Sequence, residues 1–166
     1  MSCYDHPIEG KIGIITVSGG HGALAVDACS SHGLFVPTLS EEHQAQIREH
    51  VSPRVRTIAS FSNPIDLTGS AVDDDFIAAA TFLSSIEEVD CVLILLLPYT
   101  PGVTSDLGAR LSQIYRQEGK PLIAYVPHVE KYGIFIEGFE LNRIPVAHSI
   151  EGAVHMAEAM RRCQPC

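Results

Sequence analysis

Three short, nearly unbroken apolar runs constrain this chain more than any other feature. They cover residues 12–17 (Ile-Gly-Ile-Ile-Thr-Val), 91–97 and 122–126. Each is too short for a buried helix and rich in β-branched residues or leucine, as strands covered on both faces are. Between the runs the apolar period changes. Leu107, Leu111, Ile114 and Tyr115 recur at helical spacing behind a Thr104/Ser105 cap. Phe76, Ile77, Ala80 and Leu83 do the same behind Asp73, Asp74 and Asp75, where a helix dipole favours acids. Ser40 with Glu41 and Glu42, and Ser149 with Glu151, open two more helices. Residues 35–38 and 145–147 read as further short strands. With no Asn-Gly or Asp-Gly turn between apolar runs, the five strands require parallel crossovers. Such crossovers are right-handed. The expected fold is therefore α/β, a doubly wound, mostly parallel five-stranded sheet of flavodoxin-like kind with helices on both faces and residues 91–97 at its centre.

At 166 residues and 46% hydrophobic, the chain can bury one core of ordinary size. Its formal charge of −9, without a Lys/Arg run, argues against nucleic acid and against anionic membrane surfaces. No apolar run approaches the roughly 20 residues a bilayer demands, and Asp5, His6 and Glu9 stand where a signal peptide would be basic and then apolar. The expectation is a cytoplasmic protein. Residues 1–9 and 162–166 read as an extension and a tail around a domain at 10–161, with a long functional connection at 52–72. Cys163 and Cys166 have C-x-x-C spacing, but no second ligand pair accompanies them. The five cysteines read as reduced thiols, with no metal site assigned.

Ligands of an open parallel sheet bind beyond the carboxyl ends of its strands. Three segments there stand out. Ser18, Gly19, Gly20, His21, Gly22 and Ala23 join the first strand to a helix containing Leu24, Ala25 and Ala28. Small residues let backbone amides approach an anion, and the helix start adds free donors and a positive dipole. Plain turn geometry would use the same residues. Gly20, Gly22 and Ala25 also satisfy G-x-G-x-x-A, with Glu41 or Glu42 following, which leaves a stand-alone nucleotide- or dinucleotide-binding module open. The second segment, residues 62–69, presents Asn63, Asp66 and Thr68, with Pro64 forcing Asn63 out of the α region. The third presents Tyr99, Thr100, Gly102, Val103 and Thr104 in a stiff proline-rich loop suited to a carboxylate. Either could instead be purely structural.

The histidines assign no catalyst. His21 lies inside the anion segment; His43 and His50, like His148 and His155, are seven apart, two turns along one helical face and too distant to share a metal. No zinc-protease, nucleophile-elbow or P-loop motif occurs. A receiver domain would need an acidic pair after the first strand, where Ser18 and two glycines stand.

Taken in order, Gly10-Lys11-Ile12-Gly13-Ile14-Ile15-Thr16-Val17-Ser18-Gly19-Gly20-His21-Gly22, Gly33-Leu34, Leu39-Ser40-Glu41-Glu42, Asn63-Pro64-Ile65-Asp66-Leu67-Thr68-Gly69, residues 89–94 and residues 119–122 form a recognisable set. The chain resembles the second flavodoxin-like ligase domain of the ADP-forming (nucleoside-diphosphate-forming) acetyl-CoA/acyl-CoA synthetases. More distantly it is similar to the carboxy-terminal domain of the succinyl-CoA synthetase β subunit. The resemblance spans residues 10–161. It implies acyl-CoA formation from a carboxylic acid, CoA and a nucleoside triphosphate through an acyl phosphate and a phosphohistidine. Ser18 to Ala23 would then cradle a phosphoryl group, with the second and third segments flanking the pocket. His21 stands where relatives often carry Pro or another small or apolar residue. The phosphohistidine role is not carried onto it, because in the family that residue belongs to a different domain whose Ser-His-Thr-Gly-like motif is absent here. The CoA-binding and ATP-grasp parts are also missing. The resemblance therefore implies CoA and ATP/ADP with Mg for the complete enzyme, none bound by this part alone. It further implies partner domains or subunits, a possible homo-oligomer, and no synthesis by the isolated chain. A non-catalytic interaction module of the same fold is the remaining alternative.

Overall fold

A computed structural model of the chain describes residues 7–97 and 100–162. Its sheet contains β1 (Ile12–Thr16), β2 (Ile65–Asp66), β3 (Cys91–Leu95), β4 (Leu122–Tyr125) and β5 (Val146–Ala147). The order is β2-β1-β3-β4-β5, every pairing is parallel, and β3 is central as expected. The helices are α1 (Gly19–Ser31), α2 (Glu41–His50), α3 (Pro53–Arg56), α4 (Asp73–Ser85), α5 (Leu107–Glu118), α6 (Gly133–Leu141) and α7 (Ile150–Arg162), with a short 3₁₀ turn at Glu130–Tyr132.

The unbroken apolar strands follow from burial on both faces. Ile12, Ile14, Cys91 and Leu93 point into a core shared with Ala25, Cys29, Ala153 and Ala157 of α1 and α7. Ile15, Val92 and Ile94 point the other way, onto Phe76, Leu83, Leu111 and Phe139 of α4, α5 and α6. Alternation of period two thus delivers an apolar side chain to each layer. Each fully buried side chain of this size contributes about 2 kcal/mol.

Two caps read from the sequence are formed. Ser40 Oγ accepts the His43 amide at 3.1 Å, and Ser149 Oγ accepts the Gly152 amide at 2.9 Å. α5, in contrast, has Asp106 as its N-cap. The Thr104 hydroxyl, expected as the cap, is drawn away to Asp73 at 2.5 Å.

The strand expected at residues 35–38 is replaced by a single parallel bridge between Phe35 and Lys11. Pro37 explains this, since it has no N–H to continue a ladder. The place beside β1 is shared instead. Phe35 pairs with its start and β2 with its end, and the side chain of Asn63 fills the gap. Its amide donates to Ile12 O at 3.0 Å and Pro37 O at 2.9 Å, and its oxygen accepts the Ile14 amide at 2.9 Å. The long connection at 52–72 thus contains α3 and an edge strand. α6, which sequence periodicity did not single out, packs on α5 so closely that a Cβ on Gly108 would lie 2.9 Å from the Gly138 carbonyl.

Residues 8–9, expected within a loose extension, are held. Ile8 is buried, and the Glu9, Gly10 and Lys11 amides donate to the Asp90 carboxylate at 2.7 to 3.0 Å. No helix among the described residues is long and apolar enough to cross a membrane.

Candidate functional site

α1 starts at Gly19, so the glycine segment is the first turn of the helix and not a loop before it. Ser18 is the N-cap, with extended backbone, and its side chain makes no capping bond. Its hydroxyl instead pairs with His21 Nδ1 at 3.2 Å, while its own amide donates to Thr16 Oγ1 at 3.1 Å. The Gly22 amide donates to Ser18 O at 3.0 Å, and helix register commits Ala23 in the same way. The amides of Gly19, Gly20 and His21 have no acceptor within the helix. Gly19 and Gly20 are exposed, so the helix head opens outward. Gly22 is buried for another reason. A Cβ there would press on Pro64 Cβ at 3.2 Å and Thr16 Cγ2 at 3.3 Å, so the missing side chain lets α1 dock on the second segment. None of these glycines has positive φ, and Gly20, the first glycine of the G-x-G-x-x-A pattern, already lies within α1.

In the second segment β1 and β2 place Thr16 opposite Asp66. Asp66 Oδ1 accepts the Thr68 amide at 2.9 Å, and Oδ2 lies 3.4 Å from where a Gly19 Cβ would stand. A carboxylate therefore already sits beside the positive end of α1. Thr68 has φ 65°, in the left-handed region that disfavours a β-branched residue, and its buried hydroxyl has no hydrogen-bond partner. Asn63 faces away from this group, with its carboxamide committed to the sheet edge.

The third segment meets the second near the start of α4. Gly102 bridges Val72, and its carbonyl accepts the Asp73 amide at 3.2 Å. Asp73 is buried and receives the Thr104 amide at 2.9 Å as well as the Thr104 hydroxyl. The Thr100 hydroxyl donates to Leu97 O at 3.2 Å. Thr100 and Val103, with Leu96, Tyr132 and Phe135, line an apolar hollow of about 480 Å³. Tyr99 lies outside the described residues. Ser18, Gly19, His21 and Asp66 thus form one group, while Gly102 and Thr104 are clipped to Val72 and Asp73 at the start of α4.

The ends of β4 and β5 add residues that periodicity did not mark. The Tyr125 ring stacks with His21 at 6.3 Å between centroids. Burial, helped by Glu151, raises the Tyr125 pKa above the usual phenol value. His148 Nδ1 donates to Val126 O at 3.0 Å, and its ring meets that of His128 edge-on at 4.7 Å. His148 precedes α7, so it does not share a helical face with His155 as their spacing suggested. The available signal was positional, since all three residues close or follow a strand. Cys29 and Cys91 are free and buried, and burial pushes the Cys29 thiol up to about 11 and Cys91 higher still. Neither is a nucleophile of this edge.

These features define a flavodoxin-like α/β domain whose carboxyl edge carries an open helix head with His21, a carboxylate and a separate pair of histidines, His128 and His148. No family model matches the chain. Over 89 residues, 54% of the chain, it is 34% identical to acetate–CoA ligase [ADP-forming] I of Archaeoglobus fulgidus, covering 12% of that protein. Over 163 residues, 93% of the chain, it is 28% identical to the α subunit of acetate–CoA ligase [ADP-forming] II of Pyrococcus furiosus, covering 34% of it. A crystallised protein of Pyrococcus horikoshii OT3 superposes with a TM-score of 0.82 at 25% identity, over 96% of this chain and 37% of that one. The dinucleotide-forming acetyl-coenzyme A synthetase 1 of Ca. Korarchaeum cryptofilum, in complex with phosphate and ADP, superposes at 0.79 and 22% identity over 95% of this chain and 33% of that one. The chain spans about a third or less of the curated relatives it matches. The resemblance carried by its motifs is borne out: the chain is related to the ADP-forming acetyl-CoA synthetases, over a domain-sized part of them.

Proposed function

We infer that this chain is the phosphoryl-binding flavodoxin-like domain, residues 10–161, of an ADP-forming acyl-CoA synthetase. Its α1 head would receive a phosphoryl group that the rest of the enzyme delivers. The observation carrying this reading is the exposed first turn at Gly19 and Gly20, with three amides lacking helical acceptors at the carboxyl edge of the sheet. A dianion gains there from several N–H bonds and from the helix dipole, and needs no lysine. Ser18 holds the His21 imidazole at the same turn, where a ring N–H would add one more donor. The apolar hollow beside Thr100 and Val103 suits a short acyl chain. The relatives' names supply the reaction, with CoA and ATP/ADP bound by other domains or subunits.

Asp66 sets a condition on this reading. Its carboxylate lies beside the same helix head and repels an incoming phosphate, so binding by the chain alone is weak. Backbone ¹⁵N chemical shifts during a titration with inorganic phosphate test the reading. Saturable shifts at Gly19, Gly20 and His21 are expected, with several-fold tighter binding in Asp66→Asn. Shifts scattered over the surface, or no saturation in either protein, would exclude the cradle.

A further inference from the structure

Away from the carboxyl edge, where α1 ends against the middle of α7, three metal-ligating side chains converge. His32 is the C-cap of α1, and His155 and Glu158 stand three residues apart on α7. His32 Nδ1 is 3.0 Å from Glu158 Oε2, and His155 Nδ1 is 3.4 Å from the same oxygen. The two rings meet edge-on, 4.3 Å between centroids and 70° between planes. One donor atom from each residue lies within 4.8 Å of the other two. Around a tetrahedral ion with bonds of about 2.0–2.1 Å, neighbouring donors stand about 3.3 Å apart. The two contacts to Oε2 bracket that separation.

We propose that His32, His155 and Glu158 form a site for a zinc-type divalent cation, with three protein ligands and solvent at the fourth position. The surroundings are arranged as such a site requires. Glu158 is buried, with its second oxygen, Oε1, held by Arg162 at 2.5 Å, which fixes the carboxylate and leaves Oε2 to face the imidazoles. His155 is exposed, which gives the ion a path in. An i, i+3 His/carboxylate pair on one helix, completed from a second element, is a recurrent way to build metal sites between helices. A cation here also complements the negative end of α1, whose other end carries the exposed amides. Its effect is to pin α1 to α7. Arg162 and Arg161 are the neighbouring positive charges: the first neutralises Oε1 and the second donates to the His32 and Gly33 carbonyls. Both temper the affinity.

The test uses the full chain carrying Cys163→Ser and Cys166→Ser, so that the terminal thiols supply no ligand. Calorimetric titration with Zn²⁺ is expected to give one equivalent and a rise in Tm. Affinity should fall about tenfold or more in His155→Ala and in Glu158→Gln, and remain unchanged in His50→Ala. Circular dichroism checks that each variant is folded. His155→Cys, which keeps a ligand, should restore binding and give Co²⁺ a thiolate charge-transfer band. Absence of stoichiometric binding, or equal binding in parent, His155→Ala and Glu158→Gln, would reduce the trio to a hydrogen-bonded cluster and overturn the proposal.

Discussion

Asn63 does with one side chain what a strand segment does with its backbone, because only a carboxamide offers donors and an acceptor together. Its three bonds satisfy Ile12 O, Pro37 O and Ile14 N–H at a buried edge. Asn63→Ala leaves these groups unpaired and is expected to lower stability by about 3 kcal/mol in urea denaturation. Glu158 makes a second residue-scale prediction. Burial pushes its pKa up, but Arg162 and the hydrogen bonds from His155 and His32 prevail and hold it below the ordinary 4.5. The unfolded chain therefore binds this proton more tightly than the native one. The contribution is complete above about pH 4.5 and is lost as pH falls through the lower native value. Glu158→Gln should have the lower Tm near neutrality, and the gap should narrow on acidification below that point.

Among the elements, the start of α4 does more than complement a dipole. Its three acids have separate tasks. Asp73 clips Thr104, Asp74 pairs with Arg110, and Asp75 receives the Ser52 and Val72 amides. The second and third segments are joined by this helix start and by Gly102. A Cβ on Gly102 would lie 2.5 Å from Val72 Cγ1 and 2.6 Å from Ala71 O, and a backbone atom cannot step aside. Gly102→Ala is expected to cost about 2 kcal/mol, seen as a lower denaturation midpoint with an unchanged slope. α1 differs from α4 in that its first turn stays open. That contrast, one helix head bonded to its own side chains and another with an exposed first turn, is what the proposed phosphoryl-binding role of α1 rests on.

At the scale of the molecule, five parallel strands bring the ends of β1, β2, β4 and β5 to one edge, so residues from 18 to 148 meet there. The relatives are roughly three times as long or more, and in the proposed reading that edge would be one wall of a site completed by their other parts. Purified alone, the chain is expected to form no CoA thioester from acid, ATP and CoA. Adding the CoA-binding and nucleotide-binding parts of a matching synthetase should restore formation, and Gly20→Asp, which places a carboxylate at the helix head, should abolish it. A coupled assay for ADP release reads both. Turnover by the chain alone would contradict the division of labour.

The sequence by itself determined the layer architecture, because apolar runs of strand length between amphipathic stretches can be buried only with helices on both sides. It also marked residues 18–22 and 63–69, since a glycine-rich helix start and an Asn-Pro turn are written in local chemistry. Tertiary structure decided the rest. Pro37 broke the expected strand, and a side chain 26 residues further on repaired the edge. Asp66 came to rest beside Gly19, Tyr125 stacked on His21, and His128 met His148 at the strand ends. His32 met His155 and Glu158 across more than 120 positions. Such encounters depend on strand order and helix packing, and local periodicity carries no record of contacts made at that separation.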